Sequence, residues 1–310
     1  MTTLQWRDWS CTVRVVLADG RTWSPAAAGA ERLVRDLMNE VARSADRFVP
    51  TSDLSRVNAA AGRLVPVRPM TLDLVELALA AARDTEGACD PTVGRHVLAA
   101  GYDADIDLLR AAPATPARPA APTATPRRAD WRAVRVDRSL GLLGLPDGLA
   151  LDLGATAKAW TADEAAVRLE RALGVPVLVA LGGDVAACGD LDWPVLVSEH
   201  EGGPGEVVAL RRGGVATSST QARRWPGAHG AQHHVIDPGT GTPAAGRVRT
   251  ASVLADTCVE ANALTTAALV WGASAAERLR TRAARLVEAD GSVTVTAGWP
   301  AARSDGGTAA

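Results

Sequence analysis

The run His233-His234-Val235-Ile236-Asp237-Pro238-Gly239-Thr240-Gly241 gathers two imidazoles, a carboxylate and several backbone amides around an apolar pair. Val235-Ile236 reads as the end of a buried strand. Asp-Pro-Gly stops it, because proline lacks an N–H and glycine admits positive φ. A strand that stops this abruptly aims its last side chains and the next N–H groups at one point. Such a point can bind a phosphate ester and move a proton. The competing reading is a polar hairpin turn carrying two surface histidines.

Other groups offer compatible chemistry. Gly154-Ala155-Thr156-Ala157-Lys158 follows a short expected strand, Ala150-Leu151-Asp152-Leu153, and opens a helix. Small residues there let an anion reach free N–H groups at the positive end of the helix dipole. Lys158 is the only lysine among 33 basic side chains, which points to a compact ammonium kept for its chemistry. The alternative is a surface helix lysine. Neither the Walker A spacing nor GxGxxG is present. Gly182-Gly183-Asp184 brings backbone close to a ligand beside a carboxylate, or is a simple turn or bulge. The hydroxyls of Thr217 and Ser218 can orient phosphates or a ring, or cap a turn. Asn262 and Thr266 sit four apart on an expected helix and share a face. Oxygens so placed can hold a hard cation such as Mg2+, usually with a carboxylate. Here the first member is an amide, and a plain polar helix face is the other reading.

The chain that must position these groups has 310 residues, 33 basic and 35 acidic, for a net charge of −2. That balance offers no basic face for nucleic acid. A hydrophobic fraction of 47% is enough for one large domain or two lobes. With one Tyr and one Phe, aliphatic side chains must fill most of the core. Cys11, Cys89, Cys188 and Cys258 show no CxxC spacing, so neither a zinc site nor a disulfide framework is expected. The first residues lack a basic region followed by an apolar one, and no run of about 18 apolar residues occurs. The expectation is a cytoplasmic chain with no transmembrane segment.

Periodicity predicts a strand from Ser10 to Leu17, a turn at Asp19-Gly20 and a return strand from Arg21. Helices are expected over Ala30 to Ala45 and Leu72 to Thr85, with a short one capped by Ser52 or Asp53. A second Asp-Pro turn, at Asp90-Pro91, precedes a strand pair within Trp131 to Leu145. The helix opened at Lys158 runs to Gly174. Strands follow at Val175 to Ala180, Trp193 to Ser198, Glu206 to Leu210, Val215 to Thr220 and Thr250 to Leu254. A helix from Thr257 to Trp271 leads into another, capped by Ser274 and running to about Leu286, then a strand from Ser292 to Thr296. The Pro/Ala/Thr-rich residues 111–129 read as a disordered insertion, and 297–310 as a disordered tail.

Taken in order, the motifs resemble those of the ApbE family, the FAD:protein FMN transferases. The resemblance is carried by Ser52 to Asn58, Gly87 to Gly94, Asp152 to Asp163, Gly182 to Asp184, Ala216 to Ser219, His233 to Gly241 and Ala261 to Ala267. It implies an α+β fold over 1–296, one domain with a mixed, largely antiparallel sheet, packed helices and a flavin cleft. It implies FAD as substrate and Mg2+ on its pyrophosphate. FMN would pass through a phosphoester to a Thr or Ser of an acceptor protein, with AMP released. By the same resemblance His234 is the base and Asp237 orients it. Gly182, Gly183, Asp184, Thr217 and Ser218 line the cleft, and Asp152 and Lys158 shape the pyrophosphate region. Ser52, Asn58 and Asp90 form the surrounding wall, and Asn262 and Thr266 ligate the metal. Asn262 replaces the family's Asp, and Ala155, Ala159 and Ser219 replace glycines, so the cleft is expected to narrow or the backbone to turn differently. Two further readings stand beside transfer: an FAD-binding protein that has lost catalysis, and an FAD pyrophosphatase giving FMN and AMP.

Overall fold

The computed structural model describes residues 1–20, 25–111, 127–227 and 230–300. The expected return strand from Arg21, residues 112–126 of the insertion and 301–310 of the tail lie outside the described residues. The chain divides into two compact units. One comprises Met1–Asn39, Lys158–Ala222 and the chain from Arg247 onward; the other comprises Glu40–Ala157 and Arg223–Gly246.

The first unit is built on an eight-stranded antiparallel sheet whose spatial neighbours follow one another along the chain. In order they are Thr2–Asp8, Cys11–Leu17, Val177–Leu181, Asp184–Cys188, Gly213–Ser219, Val248–Ala255, Ala283–Glu288 and Val293–Val295. The edge strand Thr2–Asp8 was not foreseen. It joins Cys11–Leu17 through Trp9 and Ser10, both left-handed at φ 47° and 53°. Such a turn matches the natural twist of the strands it connects.

Alternation along Gly213–Ser219 gives the sheet two different faces. Val215 enters an apolar core with Val16, Leu178, Val185 and the fully buried Trp193. The antiparallel hairpin Trp193–Ser198 with Gly205–Leu210 covers that side. Ser218 points the other way, where its hydroxyl meets Thr265 on the helix Cys258–Trp271. That helix is buried along most of its length and is accordingly rich in Ala, Leu and Val.

One helical expectation fails here. The helix after Ser274 covers only Ala275–Arg278, and the Ser274 hydroxyl donates to Trp271 O rather than capping it. Ala283–Glu288, expected as its continuation, is an interior strand paired on both sides. Its composition suits a helix, but tertiary pairing overrides a weak local preference. Ala284 and Leu286 are buried two apart, as a strand requires.

The second unit contains short helices and small sheets. Asp53–Asn58, Pro69–Asp84, Gly94–Ala99 and Ile106–Ala111 are helical. A three-stranded sheet pairs Val65–Pro66 and Arg135–Asp137 with Leu142–Gly144. The expected strand at Ala150 to Leu153 reduces to one parallel bridge, Val93 to Ala150. Two ribbons pair Arg224–Gly227 with Gly230–His233, and Ile236–Asp237 with Thr242–Pro243. Val97, Tyr102, Ile106, Trp225 and Ile236 form a common core. Among the described residues no helix is long and apolar enough to cross a membrane.

Candidate active site

In the first unit, chemistry collects where the hairpin Val177–Leu181/Asp184–Cys188 turns. Gly182 is left-handed at φ 65°. Gly183 lies so close to the neighbouring strand that a Cβ there would sit 2.7 Å from Thr217 O. The turn delivers Asp184, 1% exposed, to the first position of a strand. Lys158 Nζ lies 2.6 Å from Asp184 Oδ2. Asn262 Nδ2 donates to Asp184 Oδ1. Thr266 Oγ1 donates to Asn262 Oδ1 at 3.3 Å. Four sequence-identified residues thus form one hydrogen-bonded chain. Ser218 joins it through Thr265, 2.8 Å away, whose hydroxyl donates to Asn262 O at 2.9 Å. Thr217 shares a 2.8 Å hydrogen bond with Ser252.

The Cys258–Trp271 helix is anchored from outside its own sequence. Asp163 accepts from Cys258 N at 2.8 Å and Val259 N at 3.0 Å, satisfying two open donors of the first turn. Burial pushes Asp163 up from 3.8 to about 6, and the nearby Asp184 charge adds to this. The folded state therefore holds this proton more tightly than the unfolded chain. Stability linked to it is full below about pH 4 and is lost as pH rises through about 6. Asp163→Asn should remove up to about 3 kcal/mol of that pH dependence. Urea unfolding of both proteins from pH 4 to 7 reads the difference; parallel curves would refute it. The neighbouring Cys258 thiol is raised well above its ordinary value, first by burial and then by Asp184 and Asp163. It is a neutral packing group rather than a nucleophile.

The side chains at the three replaced glycines sit in ordinary backbone conformations. Ala155, Ala159 and Ser219 are not among the residues with positive φ. Ser219 is buried and turns its hydroxyl into the sheet, 2.9 Å from Thr250 Oγ1. Thr250 donates in turn to Glu199 Oε2 at 2.9 Å, and Glu199 pairs with Arg249 at 2.8 Å.

In the second unit, His233 ends the strand Gly230–His233, and Ile236–Asp237 pairs with Thr242–Pro243 in a tight hairpin. His233 Nε2 lies 3.0 Å from Ala244 O, and burial holds this imidazole below its usual pKa. His233 is therefore a framework residue. His234 is half-buried beside it. Asp237 Oδ1 accepts from Gly239 N at 2.8 Å and Gly241 N donates to Asp237 O at 2.7 Å, closing the turn. Gly241 is left-handed at φ 71°, and a Cβ there would lie 2.5 Å from His96 Cδ2. His96, buried under the turn, escaped sequence analysis.

The expected wall residues make close contacts within the second unit. Ser52 is fully buried; its hydroxyl donates to Asp46 O at 2.6 Å and accepts from Ser55 N at 3.1 Å. It caps the helix Asp53–Asn58 with its hydroxyl buried. Asn58 makes a two-bond bridge to Leu151, at 2.9 Å to its O and 2.7 Å from its N. This fixes the segment that carries Asp152. Asp90 accepts from Thr92 N at 2.8 Å, Thr92 Oγ1 at 2.6 Å and Trp131 N at 3.2 Å. Burial raises its pKa and these bonds oppose the rise. Asp152 pairs with Arg47 Nε at 2.8 Å. The Arg47 guanidinium lies over Phe48 at 4.1 Å and Tyr102 at 4.6 Å. Tyr102 stacks on Trp225 at 4.9 Å. Sequence analysis missed this group, although it contains the chain's only Phe and only Tyr.

A family model described as the ApbE family matches residues 8–289. The chain belongs to the ApbE family. Among its ApbE relatives is the FAD:protein FMN transferase of Treponema pallidum, 33% identical over 75% of this chain and 68% of that protein. The FAD:protein FMN transferase of Klebsiella pneumoniae is 28% identical over 76% of this chain and 70% of that protein. The solved ApbE protein of Thermotoga maritima superposes with a TM-score of 0.82 at 24% identity, covering 95% of this chain and 96% of its own. The flavinyl transferase ApbE of Pseudomonas stutzeri gives 0.76 at 22% identity, covering 95% and 94%. The mixed fold of helices on an antiparallel sheet is the ApbE fold.

The ApbE resemblance implies Mg2+ at positions 262 and 266, and the residues there do not fit it. Both oxygens of Asp184 accept from Lys158 and Asn262, and Asn262 Oδ1 accepts from Thr266. Mg2+ sites are built on carboxylates, whereas position 262 carries an amide and the charge of Asp184 is already paired with Lys158.

Proposed function

We propose that this chain is an FAD:protein FMN transferase. The acceptor's Thr or Ser hydroxyl oxygen attacks the FMN phosphorus of FAD. The pyrophosphate P–O bond to the AMP phosphate breaks, and AMP leaves. His234 takes the hydroxyl proton, and Asp237 shapes the turn that carries it. Lys158 meets the charge on the phosphates, and the Gly182-Gly183 turn lets backbone approach the flavin. The observation that carries this reading is the Lys158–Asp184 pair at 2.6 Å. It holds the chain's single lysine at the start of the helix Ala157–Leu173, in a family whose curated relatives bear this name.

A second reading, an FAD binder without turnover, is favoured by one observation: position 262 is an amide. The test is to incubate the protein with FAD and a Thr-bearing acceptor protein, then follow AMP and in-gel flavin fluorescence. Transfer predicts both signals in equal amounts. Bound flavin without AMP establishes the binder. AMP with no flavin on protein establishes a pyrophosphatase.

A further inference from the structure

Every side-chain oxygen of Asp184 and Asn262 already accepts from a protein donor. Asp184, 1% exposed, takes Lys158 Nζ at 2.6 Å on Oδ2 and Asn262 Nδ2 on Oδ1. The amide orientation follows from this contact. Turned over, Asn262 would set its carbonyl oxygen against a carboxylate oxygen with no proton between them. The carbonyl instead takes Thr266 Oγ1 at 3.3 Å. The nearby carboxylate of Asp163 is equally engaged, accepting from Cys258 N at 2.8 Å and Val259 N at 3.0 Å.

Charge points the same way. One ammonium and one carboxylate leave the Lys158–Asp184–Asn262–Thr266 group neutral. An aspartate at 262 would put two buried carboxylates together, a condition relieved by a proton or a cation. The amide at 262 removes that demand and donates to Asp184 instead. Lys158 is one-fifth exposed, so its ammonium keeps a path to an incoming anion.

We propose that this chain binds a phosphate ester through Lys158 without a divalent cation: the ammonium, positioned by Asp184 and one-fifth exposed, donates to the ester, the amide at 262 removes the demand for a metal, and binding there is independent of Mg2+. The ligand half rests on the FAD reading above; the metal half rests on this cluster alone.

The experiment has two arms on the full chain after chelation. In the first, Mg2+ alone is titrated by calorimetry and thermal unfolding. The native protein is expected to show no saturable binding and a melting shift under about 1 °C. Asn262→Asp is expected to melt lower in chelator and to regain about 5 °C with saturating Mg2+. Saturable, sub-millimolar Mg2+ binding by the native protein overturns the inference, even if the variant does not fold. In the second arm, FAD is titrated with chelator or with Mg2+. A dissociation constant changed by less than about threefold supports the inference, and a tenfold tightening by Mg2+ overturns it. Failure of FAD to bind in either condition defeats the transferase reading, while saturable Mg2+ binding by the native protein in the first arm still overturns the metal half.

Discussion

His234→Ala is expected to lower FMN transfer by about 10²- to 10⁴-fold while FAD binding persists. The range is that of a positioned general base removed from a step whose nucleophile is a neutral hydroxyl. The structure separates the two adjacent imidazoles. His233 is engaged with Ala244 O at 3.0 Å and held neutral by burial. His233→Gln should therefore act mainly on stability, by about 1 kcal/mol, the worth of one buried hydrogen bond. Single-turnover AMP release measures the His234 effect, and flavin fluorescence quenching measures binding. Added imidazole should restore part of the lost rate in His234→Ala. Transfer at the native rate in that variant would remove His234 from the chemistry.

Lys158→Met should lower the unfolding free energy by about 3–5 kcal/mol, because it strands a buried carboxylate. The Asp184 side chain is 2% exposed and that of Lys158 20%, so water cannot replace the lost ammonium. Asn262 still donates to one oxygen, but an amide hydrogen does not neutralise a charge. The double variant Lys158→Met/Asp184→Asn removes both charges and should recover most of the loss. That non-additivity separates a broken ion pair from general misfit at position 158. Urea midpoints of the four proteins provide the cycle. A single Lys158→Met within 1 kcal/mol of the native protein would contradict the reading that the pair is buried.

The seven motifs in order and the short-range signals were legible without coordinates. The Gly182-Gly183 turn, the Ser52 cap, the i, i+4 spacing of Asn262 and Thr266, and the solitary Lys158 all emerged from local rules. Those rules act within a few residues, through φ restrictions, cap geometry and helical period. They could not tell that Ser52 is sealed inside its own cap. Nor could they tell that Ser219 would turn into the sheet toward Thr250. Ala283–Glu288 shows the same limit. Its composition allows helix or strand, and only the strands on either side decide.

The sequence by itself determined the ApbE family, the α+β class and the residue types available for chemistry, because each is written in local spacing. Only the tertiary structure decided what those residues do to one another. Asp184 meets Lys158 from 26 positions away and Asn262 from 78. A buried carboxylate must find its donors wherever sheet order and helix packing bring them. That closure over long loops joins the candidate metal pair to Lys158 and Asp184 in one hydrogen-bonded cluster.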